Sequence, residues 1–184
     1  AIHPEEGSTQ INNIDYDQVV LCTGAFSKAL VRQIEGQFIP LETERGYHIE
    51  FIEKQQLLNR PTSLVESGMY LTPLHNRLRA VGTVELGGLH SEISQSRIDY
   101  IARDAKRLLP SLQDYQNPWL GYRPTMPDCL PVLGRSPKFK NIFYAFGHNH
   151  LGWTLGPTTG KLIADLICHG REINSVYSID RYLS

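Results

Sequence analysis

Asn141-Ile-Phe-Tyr-Ala-Phe-Gly-His-Asn-His-Leu-Gly-Trp-Thr-Leu-Gly-Pro157 runs from a short apolar segment through a glycine-rich turn into the start of a helix. The apolar part is too short for a core helix and is rich in aromatics, so it reads as a buried strand. Beyond the turn, Leu162, Ile163, Leu166 and Ile167 recur at helical spacing as far as Gly170. Pro157 in the first helical turn and a glycine just past the last fit the usual asymmetry of helix ends. Glycines between Gly147 and Gly156 let backbone N–H groups approach a ligand closely, and the helix dipole adds partial positive charge there. The loop suits an anion or a group that becomes negative during reaction, and tight packing alone is the competing explanation. Neither G-x-G-x-x-G nor G-x-x-x-x-G-K-[ST] occurs in it.

A second unit of this kind lies upstream. Asp17-Gln-Val-Val-Leu-Cys-Thr-Gly-Ala25 reads as a buried strand and tight turn, and Ser27-Lys-Ala-Leu-Val-Arg-Gln-Ile34 as a helix with Ser27 at its amino-terminal cap. Buried strands of this type usually belong to parallel sheets. Between the two units come alternating runs, Gly46–Ile52, Gly68–Leu74 and Leu78–Leu86, with a hairpin predicted around His75-Asn76. Ile98, Ile101, Ala102, Ala105, Leu108 and Leu109 form one amphipathic helix between Ser94 and Pro110, followed by a short strand up to Arg123 and a proline-punctuated loop to Pro137. The predicted fold class is therefore an α/β layer entered, left and re-entered, with an inserted α+β layer.

Composition narrows the function. The chain has 184 residues, 41% hydrophobic and 20% charged, with a formal net charge of −1, as in an ordinary globular protein. Its basic residues form no stripe, which argues against a nucleic-acid partner, and His148-Asn149-His150 lacks the setting of a nuclease. The three cysteines, Cys22, Cys129 and Cys168, are far apart and suit a reducing compartment. Apolar runs are far short of the roughly 20 residues of a membrane helix, and the first residues lack the pattern of a secretory signal. A cytoplasmic location is expected, with peripheral attachment to the inner membrane left open for an intact protein.

Few side chains stand out as chemical candidates. Arg123 sits before Pro124, which keeps the backbone extended, and a guanidinium so displayed can clamp a carboxylate with two hydrogen bonds. Tyr70 lies in a predicted central strand, where a phenol is either core or a donor to a substrate oxygen. His148 and His150 point opposite ways if extended, so no metal site is expected. No G-x-S-x-G elbow or reactive-cysteine context appears, and no catalytic side chain is named.

Val19-Val-Leu-Cys-Thr-Gly-Ala-Phe-Ser27, Glu44-Arg-Gly-Tyr47, Met69-Tyr-Leu-Thr-Pro73, Val81-Gly-Thr-Val-Glu85, Gly121-Tyr-Arg-Pro-Thr-Met-Pro-Asp-Cys-Leu-Pro-Val-Leu-Gly134 and Gly147-His-Asn-His-Leu-Gly-Trp-Thr154, in this order, resemble the D-amino acid oxidase superfamily of FAD-dependent oxidoreductases, especially its D-amino acid dehydrogenase and glycine oxidase members. The resemblance implies the carboxyl-terminal portion of a glutathione-reductase-type FAD domain over 1–44 and 125–184, with an antiparallel-sheet substrate domain inserted over 45–124. It implies that Arg123 binds a substrate carboxylate, with Tyr70 as hydroxyl partner and His150 facing substrate. Thr23 and Gly24 would lie near the FAD diphosphate and ribose. His148, Asn149, His150, Leu151, Gly152, Trp153 and Thr154 would lie along the isoalloxazine.

The implied reaction oxidises the CH–NH bond of a D-amino acid, glycine or a related secondary amine, with oxygen or a quinone as final acceptor. The family's early G-x-G-x-x-G is missing from this sequence. The chain by itself is therefore expected to lack FAD and activity, and to self-associate through exposed FAD-domain surface. The alternative is a non-catalytic substrate-domain scaffold that has lost FAD binding.

Overall fold

The computed structural model describes residues 2–5, 7–52 and 56–183. The chain divides into two compact units, Ala1–Thr43 with Arg123–Ser184, and Glu44–Tyr122.

Residues ahead of Asp17, to which the sequence reading assigns no element, form a small antiparallel meander. Its strands are β1 (Ile2–Pro4), β2 (Thr9–Ile11) and β3 (Ile14–Tyr16). Asn12 and Asn13 take the left-handed turn between β2 and β3, a conformation that asparagine tolerates. Strand β4 (Val19–Leu21) then leads through a 3-10 turn at Gly24–Phe26 into helix α1 (Ser27–Glu35). The expected cap needs correction. Phe26 holds the cap position, and the Ser27 hydroxyl is buried against Thr23 Oγ1 at 2.9 Å. The 3-10 turn delivers the chain to the helix with its own backbone bond, Phe26 N–H to Thr23 O, so no side-chain cap forms. Val31 and Ile34 bury the inner face of α1, and Gly36 ends it in the left-handed region.

The Glu44–Tyr122 unit is a five-stranded antiparallel sheet with one helix. Strand β5 (Glu42–Ile52) is followed by β6 (Thr62–Leu64), β7 (Met69–Leu74), β8 (Arg77–Leu86), helix α2 (Gln95–Leu108) and β9 (Tyr115–Thr125). The strand order is β6-β7-β8-β5-β9, and β7 and β8 form the hairpin about His75-Asn76. Alternation decides the faces. Tyr47, Ile49, Phe51, Met69, Leu71, Leu78 and Ala80 point to one side, where Ile98, Ile101, Ala102 and Ala105 of α2 cover them. Fully burying one such large side chain contributes about 1.5–3 kcal/mol. Pro118 and Pro124 lie inside β9, which makes that strand longer than the short one expected. Its place at the sheet edge explains the tolerance, since an edge strand can lack an N–H.

The loop expected up to Pro137 contains a strand, β10 (Val132–Arg135), paired antiparallel with β11 (Ile142–Phe146). Its four residues between Pro131 and Pro137 are too few for a periodic signal. Strand β11 pairs in parallel with β4, giving the order β10-β11-β4. Helix α3 spans Gly152–His169, so Pro157 is inside it rather than in its first turn. Gly152 and Gly156 look like loop residues in sequence, but α3 packs through Ile163 and Leu166, and that anchoring carries the helix past them. Glu35 Oε1 accepts hydrogen bonds from the Ser136 hydroxyl, at 2.6 Å, and the Tyr144 hydroxyl, tying α1 to the β10-β11 hairpin.

On the sheet face away from α2, Glu50 is only 5% exposed. Its Oε1 accepts Nε and Nη2 of Arg79 at 3.1 and 2.8 Å, while Asn117 Nδ2 donates to Oε2 at 3.3 Å. Arg77 Nη1 lies 3.4 Å from Oε2. Burial alone would raise the Glu50 carboxyl, but the Arg79 and Asn117 hydrogen bonds and the two arginine charges outweigh it and hold the group below its ordinary range. A depressed folded pKa adds stability above the unfolded value of about 4.3, and this stability is lost as pH falls through the folded value. Glu50→Gln should cost about 1–3 kcal/mol at pH 7 and flatten the acid limb of urea unfolding followed from pH 7 to 3. An unchanged acid limb would remove Glu50 from that role.

Candidate functional site

The parallel register Val19↔Ile142, Val20↔Phe143, Leu21↔Tyr144 brings the carboxyl ends of β4 and β11 to one sheet edge. Thr23-Gly24 and Gly147-His148 both leave from that edge, the edge where open α/β sheets bind ligands. Gly24 is left-handed, with open space above its Cα. Gly147 has φ +86, a conformation that favours glycine, and a Cβ there would sit 3.0 Å from Met126 Cγ, so the Met126 side chain would have to yield.

His148 is half-buried. Its Nε2 lies 2.9 Å from Thr159 Oγ1 inside α3, and burial lowers its pKa, so the ring is neutral near pH 7. Asn149, His150 and Leu151 form a 3-10 turn rather than an extended segment. The expected alternation of His148 and His150 therefore does not occur. His150 is exposed, with Nδ1 3.2 Å from Asn149 Oδ1. Among the described residues no group of three or more His, Cys, Asp or Glu could hold a metal ion. No side chain caps α3 at Leu151, Gly152 begins the helix, and Trp153 and Thr154 on its first turn are exposed, Trp153 at 97%.

Two further residues of this unit come from β9. Arg123 is half-buried, and its side chain enters no hydrogen bond, ion pair or ring contact among the described residues. Thr125 faces His148 across an isolated antiparallel bridge, and its buried hydroxyl has no hydrogen-bond partner among the described residues. Sequence reasoning passes over Thr125. It stands in the Arg-Pro-Thr-Met-Pro motif, but nothing in the letters signals an unsatisfied hydroxyl.

In the Glu44–Tyr122 unit, Tyr70 lies on β7, second in the strand order rather than central. It is 57% exposed on the face away from α2, so its phenol is not a core group. Its neighbours across the sheet are Val81 on β8 and then His48 on β5. His48 stacks on Trp119 with ring centroids 4.8 Å apart and planes 20° from parallel. Burial, with the Arg79 charge adding and Glu50 opposing, lowers the His48 pKa and keeps that ring neutral as well.

The family model described as DAO, FAD dependent oxidoreductase, matches residues 2–166. A D-amino-acid oxidase of Bradyrhizobium diazoefficiens is 36% identical over 86% of this chain and 39% of its own length. A D-amino acid dehydrogenase of Vibrio atlanticus is 33% identical over 91% of this chain and 41% of its own. The chain thus spans about two-fifths of these relatives. The crystal structure of glycine oxidase from Geobacillus kaustophilus superposes with a TM-score of 0.83 at 24% identity, over all of this chain and 51% of that one. The mixed α/β fold with antiparallel sheets is accordingly that of DAO-type oxidoreductases. No helix among the described residues is long and apolar enough to cross a membrane.

The glycines of the loop and of α3 should respond in opposite ways to alanine. Gly147→Ala should destabilise the chain by about 1–3 kcal/mol, because the residue is left-handed and confronts Met126. Gly156→Ala, inside α3 with nothing within 4 Å of its Cβ, should stabilise by about 0.5–1 kcal/mol. Thermal unfolding of the two variants checks the pair, and equal effects would contradict it.

Proposed function

We propose, from the premise that the chain belongs to the DAO family of FAD dependent oxidoreductases, that it supplies the substrate-anchoring part of a flavoprotein oxidising the CH–NH bond of a D-amino acid, glycine or a related secondary amine. The observation that carries this reading is Arg123. A half-buried guanidinium on a rigid strand, free of any partner among the described residues, is ready for a planar anion, and a substrate carboxylate is that anion. Most arginines of this chain are already paired, as Arg79 is with Glu50 and Arg181 with Asp128.

Arg123 would fix the carboxylate and so orient the α-carbon, converting an encounter into a positioned reaction. Tyr70 would contribute a second donor through its hydroxyl, and His150 a polar side chain toward substrate. Loss of the α-hydrogen with its electron pair and of the amine proton leaves an imine, which water hydrolyses to an oxo acid and ammonia. FAD, when bound, supplies the two-electron acceptor, and oxygen or a quinone would reoxidise it.

The residues fit such a group. Thr23-Gly24 and the segment His148–Thr154 leave one sheet edge, Gly24 and Gly156 carry open space, and the Thr125 hydroxyl lacks a partner among the described residues. The uncapped start of α3 favours negative charge at its amino end. The units Ala1–Thr43 with Arg123–Ser184 and Glu44–Tyr122 take the roles of FAD-binding and substrate-binding domains in this reading. Against independent activity stands one feature, the absence of G-x-G-x-x-G from the 184 residues. The chain alone is then a module that binds FAD weakly or not at all, and its work is cytoplasmic as part of a larger flavoprotein.

In the full-length flavoprotein Arg123→Ala should lower kcat/KM for its amino acid about a hundredfold or more, and Arg123→Lys should not restore it, since charge returns without the fork. Because Arg123 has no partner to lose, its replacement should leave the melting temperature nearly unchanged. Parental turnover by a folded Ala variant would end the assignment. For the 184-residue chain, titration with FAD followed by flavin fluorescence should show no saturation, because a partial site faces the cost of immobilising the ligand with few contacts to offset it. A yellow preparation active on D-amino acids would refute this.

A further inference from the structure

We infer that Arg181 is a positioning residue: through the turn 126–131 it fixes Gly147, and with it the segment 148–154 that the reading above sets along FAD. The inference rests on that reading for the cofactor alone, since its contacts all lie inside the unit Ala1–Thr43 with Arg123–Ser184. Strand β9 ends at Thr125, and the chain then turns, with the Cys129 amide donating to Met126 O at 2.9 Å. Cys129 holds φ 58, a left-handed conformation that a residue other than glycine keeps only where its surroundings impose it. This turn is the seat of Gly147. A Cβ on Gly147 would lie 3.0 Å from Met126 Cγ and 3.6 Å from Pro131 Cα, so the two ends of the turn flank the residue where the glycine loop begins. Thr125, just before the turn, bridges His148.

Arg181 grips that turn at three points. Its Nε donates to Asp128 Oδ2 at 2.8 Å, and Nη2 donates to the Leu130 and Pro131 carbonyls at 2.9 and 3.2 Å. Asp128 Oδ1 accepts the Leu130 amide at 3.0 Å, which ties the carboxylate to the backbone of the turn itself. Nη1 donates to Ser178 O at 2.8 Å, and the guanidinium lies 4.5 Å from the centroid of the Tyr182 ring. The 3-10 segment Ile179–Tyr182 that presents the arginine is anchored by Ile179, 1% exposed in one core with Val132, Ile142 and Phe146. An ion pair with Asp128 would suffice to dock that segment. The two carbonyl bonds go further, because a planar fork holds Leu130 and Pro131 in one geometry, and Pro131 is the residue beside Gly147. A small displacement there would carry into the loop, where position affects rate more than it affects stability.

The test uses the full-length flavoprotein with Arg181→Ala, Arg181→Lys and Ile179→Val, the last of which loosens the packing of the same segment and keeps the arginine. In FAD-free protein, amide hydrogen exchange over residues 147–151 should quicken roughly tenfold in Arg181→Ala, with residues 142–146 unchanged. The FAD dissociation constant should rise roughly tenfold, and kcat should fall while KM for the amino acid changes less than about twofold, because Arg123 stays on its strand. Arg181→Lys should recover little, since an ammonium restores the charge without the fork. Ile179→Val should lower the melting temperature without changing exchange over 147–151 or FAD affinity. Unchanged exchange in Arg181→Ala, or an equal rise in exchange and dissociation constant in Ile179→Val, overturns the inference and leaves the proposed reaction standing. Faster exchange with FAD affinity unchanged would show that the segment 148–154 does not meet FAD; the reading then fails, and the inference falls with it.

Discussion

The parallel pairing of Val19–Leu21 with Ile142–Phe146 is the constraint on which the surrounding unit depends. It joins segments more than a hundred residues apart, a costly closure that local bonds do not repay. The repayment is visible around it. Leu21, Ile142, Tyr144 and Phe146 are buried with Val31 and Ile34 of α1, and the Glu35 carboxylate accepts from Ser136 and Tyr144. Desolvation and the adjacent carboxylate both raise the Tyr144 pKa, so the phenol stays a donor at any physiological pH. Because the pair is parallel, both chains leave at the same edge, and the two glycine turns meet there without any side chain being needed to bring them together.

The Glu44–Tyr122 unit solves a different problem. A sheet covered by one helix has a second face to dispose of, and this one fills it with a charged row and an aromatic row. Glu50 is buried there because four hydrogen-bonding or charged contacts from Arg77, Arg79 and Asn117 satisfy it. Removing any one partner would leave part of a buried charge uncompensated, which costs more than the contact itself contributes. The His48–Trp119 stack lies in the neighbouring row on the same face.

What can be read from the letters follows from how local each cause is. Helix α2 is legible because Ile98, Ile101, Ala102 and Ala105 repeat at helical spacing, and β7 and β8 are legible because they alternate about a two-residue turn. Strands β1, β2, β3 and β10 are not, since three or four residues carry no period and only pairing makes them strands. The start of α3 is misread because Gly152, Gly156 and Pro157 favour a loop, while packing at Ile163 and Leu166 decides the outcome. At the candidate site, the position of Arg123 on stiff backbone is legible, and so is the glycine content of the loop. The empty hydrogen-bonding capacity of Arg123 and Thr125 depends on what fails to approach them, which no local pattern encodes.

Two arginines show why that distinction matters for chemistry. Arg45 is fully buried, and the structure spends it: Nη2 donates to the carbonyls of Ser91 and Glu92 at 2.8 and 2.6 Å, and Nη1 lies 3.3 Å from Glu85 Oε2. Glu85 in turn accepts from Tyr47, and a Cβ on Gly87 would sit 2.6 Å from Arg45 Nη1. Such a residue holds the loop before α2 in place, although its buried Nε and Nη1 have no hydrogen-bond partner among the described residues. Arg123 is the opposite case, partly shielded from water and bound to nothing among the described residues. Partial desolvation without a partner lowers stability slightly and raises the gain on meeting a carboxylate, since less water must be displaced to form a bidentate pair. Under the proposed function, a substrate carboxylate would give this guanidinium, two residues from the orphaned hydroxyl of Thr125, its partner.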